Sequence, residues 1–401
     1  MRRGSRRRST FTQPDGYSLI ELLVVTAVTL TVMGAVFSVM NPSQGTFRAQ
    51  PEVSDIQQRM RIAVDTLQRD LLVTGAGTYA SGQAGPLTNF FAPIMPYKMS
   101  RFSPDPPGTF RTDAITLMFV SSAVETTIRE GMPQPSSELK VTAQPGCAVG
   151  DELCGFQEGM QCIIFDDTGA WDLFTVTQVQ DDALHLQHNQ QPDLSKRYQP
   201  GARIAQFAAR TYYLNSDPAT DTFELRLSDG FQLDLPVVDG VVGLRFDYFG
   251  EPLPPMLRKP VSDPIGPWTT YGPKPPALGV VADGSDYPAG ENCVFAVDAG
   301  QHVPRLQSLT PGSSGLVPLT QAMLTDGPWC PSTTSPTRFD ADLLRVREVR
   351  VTVRLQALSK SLRGPAGLLF ARGGTARLTE TLVPDQQVQF DVTPRNLNLG
   401  R

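Results

Sequence analysis

The longest uninterrupted apolar stretch lies near the start of the chain. From Leu22 to Met40 no residue is charged, and these 19 residues would make a helix of roughly 28 Å, about the hydrocarbon thickness of a bilayer. Arg2, Arg3, Arg6, Arg7 and Arg8 stand just ahead of it, a bias that keeps the leader in the cytoplasm and sends the remainder out. The run exceeds the apolar core of a secretory signal peptide, and no small-x-small site follows Met40 directly. A single carboxylate, Glu21, sits one turn into this region. A charge there is costly unless it reaches the headgroups or meets a partner, so Glu21 is the first candidate functional residue.

After Pro42 the period changes. Val53, Ile56, Met60, Val64, Leu67 and Leu71 recur every three or four residues, which predicts an amphipathic helix. Gly75 and Gly77 supply its stop. The helix that begins in the membrane is therefore expected to continue to about Val73, with a bend at Pro42, and to lay one face on a globular domain. The repeat is too short for several coiled-coil heptads.

Beyond Gly77 the pattern is that of strands. "AITLMFV" (114–120) is a buried-strand run. Residues 159–189 look like consecutive strands joined by turns at Asp167–Gly169 and Asp181–Asp182, and 210–238 like hairpins turning at Asn215–Asp221 and Asp229–Gly230. Val242, Leu244, Phe246 and Tyr248 alternate with small or polar residues, as do Val349, Val351, Val353, Leu355 and Ala357 with Arg350, Thr352, Arg354 and Gln356. A period of two predicts a sheet covered on one face, and the amphipathic helix is the available cover. The fold class is α+β. The expected layout is a membrane helix (17–41), an amphipathic helix (42–75), a β domain (76–139 and 209–401) and an inserted small barrel or meander (140–208). The Pro/Gly-rich stretch 250–342 holds Pro252, Pro254, Pro255, Pro260, Pro264, Pro267, Pro273, Pro275 and Pro276 and is expected as a surface insertion without regular sheet.

Composition adds the chemistry. Five cysteines in an exported body permit disulfides. Cys147 and Cys154 bracket one short loop, Cys293 and Cys330 bracket a longer excursion, and Cys162 lies in an apolar run; 147–154 with 293–330 is the favoured pairing, although spacing alone does not fix connectivity. The tight Cys-x-x-Cys pairs of a zinc site are absent. His185 and His188 would face opposite sides of a strand, which disfavours a metal pair. "DDTGAWD" and "DGSD" offer oxygens for calcium but not the full calcium-loop pattern, so turn chemistry is the expectation and no metal or cofactor is assigned. No nucleophile elbow, HExxH pair or phosphate loop appears, and no catalytic residue is assigned.

Gly16, Tyr17 and then Ser-Leu-Ile-Glu21 ahead of the apolar run resemble the class III signal of type IV prepilins. "RMRIAVDTLQRDLLVTGAG" and the ending "VQFDVTPRNLNLGR" resemble PilW-type minor pilins, and the helix block also GspJ-type minor pseudopilins. The resemblance implies cleavage of the leader 1–16 between Gly16 and Tyr17 by a prepilin peptidase, N-methylation of Tyr17, and pairing of Glu21 with the N-terminal amine of a neighbouring subunit. It implies a pilin-like fold, inner-membrane lipid, other major and minor pilins and assembly platform proteins as partners, and passage from inner membrane with a periplasmic domain to a surface filament. Two departures mark a minor or divergent member: Tyr17 stands where Phe is usual, and Pro42 comes late. Loss of the leader, with its net charge of +4, takes the chain from −5 to −9, which argues against nucleic acid as a partner. Two classes of function stay open: a filament-assembly subunit, of a pilus or of a type II secretion system, and a periplasmic binding or catalytic domain that merely uses an anchor.

Overall fold

A computed structural model describes residues 16–78, 85–100, 103–132, 138–144, 146–188, 194–217, 219–220, 222–258, 270–282, 286–310, 312, 315–363 and 383–398, with only the backbone at 39–48. The basic leader and Pro260, Pro264 and Pro267 lie outside the described residues.

One helix, α1, runs through Leu19–Val73, and Pro42 does not end it. Its outer half is amphipathic, as the spacing requires: Ile56, Ala63, Leu67 and Leu71 are fully buried, with Val53 and Met60 packed beside them. Each large side chain removed from water this way contributes about 1.5–3 kcal/mol. Gly75 follows with φ of 79°, and a Cβ there would stand 3.0 Å from Leu397, so the residue serves both the left-handed turn and a close approach. The carbonyls left open at the helix end accept from Asn396 Nδ2 (Val73 at 3.1 Å, Thr74 at 3.3 Å), so the C-terminal turn caps the helix.

The strands are β1 (Ile94–Met95), β2 (Ala114–Thr127), β3 (Glu138–Lys140), β4 (Gln161–Phe165), β5 (Trp171–Gln180), β6 (His185–His188), β7 (Arg203–Asp217), β8 (Thr222–Ser228) and β9 (Asp234–Asp239). These form one sheet in the order β1-β2-β7-β4-β5-β6-β3, with β8 on β7 and β9 on β8. The rest are β10 (Val241–Gly250), β11 (Phe295–Asp298), β12 (Gln301–Pro304), β13 (Val317–Leu319), β14 (Trp329–Cys330), β15 (Phe339–Asp340), β16 (Val346–Leu355) and β17 (Gln386–Val392). A second sheet has the order β13-β10-β16-β17, and every pairing among the described strands is antiparallel. The architecture is α+β. α1 packs on β9, β16, β17 and the start of β2, and a large apolar core joins it to both sheets.

A separate apolar cluster, including Leu139, Phe156, Ile164, Phe174, Val176, Leu186 and Tyr198, fills the space among β3, β4, β5 and β6. The bridge Ile128↔Val141 brings the chain just beyond β2 back beside β3.

Three expectations need correction. β7 continues to Asp217, so its turn begins later than Asn215. The polar face of β16 is not wholly exposed: Arg354 and Gln356 are buried, because Asp385, Gly240 and the helix residue Arg59 cover them. The Pro/Gly-rich stretch is not merely surface. Its β13 extends the second sheet, with Pro318 on an edge strand where a missing N–H is tolerated, and Phe295, Leu306, Leu319, Leu324 and Phe339 enter the main core. Arg345, fully buried, ties it down. Its Nη1 lies 3.1–3.3 Å from the carbonyls of Glu251, Pro252 and Leu253, its Nη2 2.6 Å from that of Gln307, and its Nε 2.5 Å from Asp342.

Candidate functional site: an exposed helix and its anchorage

Gly16, Tyr17 and Ser18 precede α1, with Ser18 in an extended conformation at the cap position and its carbonyl accepting from Leu22 N at 3.1 Å. The Gly16–Tyr17 bond therefore lies outside the helix, and Tyr17 is 85 % exposed. Glu21 is in the first turn, where the partial positive charge of the helix N-terminus favours an acid. Among the described residues no cation pairs with it.

Leu19–Ser38 is a 20-residue helical segment long and apolar enough to cross a membrane, and none of it is buried within the chain. Its hydroxyls are satisfied internally: Thr26, Thr29, Thr31 and Ser38 each donate to a carbonyl about one turn back, at 2.7–3.0 Å. In a medium without water this leaves no open hydroxyl proton along the segment.

The outer half is fixed by two polar devices that the apolar spacing did not single out. Arg59 donates from Nε to Asp55 at 2.7 Å and from Nη1 to the Asp239 carbonyl at 2.8 Å. Gly240, with φ of 71°, allows the close approach, since a Cβ there would meet Nη1 at 2.5 Å. One turn from the helix end, Asp70 is buried and accepts from Arg210 and Tyr212 on β7. An acid on the apolar stripe, between Leu67 and Leu71, is the signal that could have marked it.

The cysteines are joined as Cys147–Cys154 and Cys293–Cys330, and Cys162 is a buried free thiol that burial holds well above its ordinary pKa. Two disulfides fit an oxidising compartment. His185 meets Glu138 at 2.5 Å while His188, on the opposite face, is buried against Phe174. In "DDTGAWD" the acids serve local structure: Asp166 accepts from Thr168 and pairs with Lys196 at 2.7 Å, and Asp172 accepts from Ser195 and Tyr198. In "DGSD" only Asp286 is described, and it accepts from Thr333. The acids that do converge are Asp340 and Asp342, two residues apart, and Asp326 from the preceding loop. Burial pushes Asp340 up to about 7 and Asp342 up to about 6.

No family model matches the chain, and no curated protein or solved structure matches it either.

Proposed function

We propose that the chain is a minor pilin of a type IV pilus-like system, cleaved after Gly16 and acting in filament initiation or capping rather than in catalysis. The observation that carries this reading is the register of Gly16, Tyr17 and Glu21 at the foot of a continuous helix whose first 20 residues are unburied among the described residues. A plain anchor has no need of an extended, exposed Gly-aromatic bond four residues ahead of a lone acid. A neighbouring subunit's N-terminal amine, cationic at neutral pH, is the partner that Glu21 lacks among the described residues. The domain would then hang outside the inner membrane on a helix clamped at Arg59 and Asp70, and the second apolar cluster would be a small barrel carried on the pilin-like frame. N-terminal mass spectrometry of the membrane-extracted protein from cells with an active prepilin peptidase tests the reading. A methylated Tyr17 terminus is expected, and an intact leader would leave the anchored-domain reading in its place.

A further inference from the structure

At the seam between the first sheet and the Pro/Gly-rich stretch lies a cleft with two adjoining parts. The larger, about 430 Å³, has walls of Tyr97, Pro104, Pro107, Trp171, Leu173 and Phe231. The smaller, about 140 Å³, is of mixed character: Lys196, Lys274, Ser195, Ser332 and Thr334 line it together with alanines and prolines. Ser195 and Pro336 belong to both, so the two parts share a wall. The larger volume lies within the roughly 300–1,000 Å³ of small-molecule sites, and an apolar chamber with a few convergent polar groups is their usual make-up.

The charges around it are unbalanced in a useful way. The two carboxylates of the larger chamber are already engaged: Asp105 by both nitrogens of Arg111 at 2.6–2.7 Å and by Lys98 N, Asp172 by Ser195 and Tyr198. Two cations of the larger chamber, Arg338 and Lys98, make no salt bridge among the described residues. Arg338 donates to the Ser335 carbonyl at 3.3 Å and lies over the Trp329 ring, and no carboxylate pairs with it among the described residues. Lys98 lies over the Tyr213 ring. Among the described residues no carboxylate lines the smaller part, although Asp166 reaches Lys196 from outside it.

The geometry points to a binding site for a small amphipathic anion, with a ring-sized apolar body seated against Trp171, Leu173 and Phe231 and an acidic head turned toward Arg338 and Lys274. This inference rests on the cleft alone and is independent of the filament reading.

The test uses the full chain in lipid nanodiscs, with empty nanodiscs as reference, and saturation-transfer NMR of 2-naphthoate and its uncharged twin 2-naphthamide. Naphthoate is expected to bind about tenfold or more tightly than the amide, and less tightly as salt is raised. The double variant Lys274→Gln/Arg338→Gln should lose that advantage while still binding the amide, which shows that the chamber is intact. Thr175→Trp, which places a β-compatible ring in the chamber, should remove both ligands with near-UV dichroism retained. Absence of binding beyond the empty nanodisc, equal affinity for acid and amide, or a double variant that binds naphthoate as the wild type does would each overturn the proposal.

Discussion

Arg210 grips Asp70 with one nitrogen, Nη1 lying 2.6 and 2.7 Å from the two carboxylate oxygens, and so fastens the end of α1 to the middle of β7. Tyr212 adds its hydroxyl to the same carboxylate at 2.5 Å. Asp70 is 2 % exposed, whereas the Arg210 side chain is 41 % exposed. The two ends are therefore not equivalent. Arg210→Ala strands a buried carboxylate with a single neutral donor and should cost about 3 kcal/mol. Asp70→Asn keeps an acceptor for Tyr212 and leaves an arginine that can turn to water, so about 1–2 kcal/mol is expected. Urea melts of the two variants check the order, and a larger loss in Asp70→Asn would show that the buried carboxylate does not depend on Arg210.

The stripe on α1 was legible because helical spacing alone puts Ile56, Leu67 and Leu71 on one face. Arg59 and Asp70 share that face; Arg59 has Asp55 one turn back, but the Asp239 carbonyl and both partners of Asp70, Arg210 and Tyr212, lie more than a hundred residues away, and such tertiary contacts make the buried polar groups tolerable. The same holds for Arg354 and Gln356: alternation assigns a face, yet whether it meets solvent depends on Arg59 and Asp385 elsewhere in the chain. Between 250 and 342 the prolines hid the core residues Phe295, Leu319 and Phe339, because no regular period connects them. The small apolar cluster draws on segments from Ile128 to Ile204, so its extent follows from pairing rather than from local pattern.

Stability should fall as pH rises from about 4 to 7. Burial raises Asp172 to about 6, Asp342 to about 6 and Asp340 to about 7, against about 3.9 in an unfolded chain. In that window the folded state holds more protons than the unfolded one, so each rise in pH favours unfolding, and the effect levels off above pH 7. The opposite sign applies to Asp391, hydrogen-bonded by Arg350, and to Glu130, hydrogen-bonded by Lys140: both sit below their usual range and lose their contribution as pH falls below about 4. An unfolding free energy, from urea melts, larger at pH 5 than at pH 7.5 by on the order of 1–3 kcal/mol is expected. Asp172→Asn should shrink the difference, and a flat profile in the wild type would remove the premise.

The two disulfides should differ in what their loss costs. Cys293–Cys330 spans a sequence separation of 37, Cys147–Cys154 one of 7. Loop-closure entropy then gives about 4 kcal/mol for the first and about 2.5 for the second. The first also sits in the main core, with both cysteines fully buried. Paired Cys→Ala variants, compared by thermal melting under oxidising conditions, should rank in that order, with Cys162→Ala changing neither bond.

The role of Glu21 follows from where its partner must come from. It is exposed, in a segment that is unburied among the described residues, so its removal takes away no contact of the described domain. Alone at the membrane it carries a solvation cost, about 2.5–3.5 kcal/mol at a bilayer centre and less near the interface. Beside a cationic amine in a bundle of low dielectric, the same carboxylate is attracted far more strongly than in water. Glu21→Ala should therefore leave insertion, cleavage after Gly16 and the melt of the exported domain unchanged, while recovery with sheared filaments or with partner pilins drops about tenfold relative to the membrane level. Glu21→Asp, one methylene shorter, should fall between. If wild type and Glu21→Ala are recovered equally, the acid is only an interfacial residue and assembly does not depend on it.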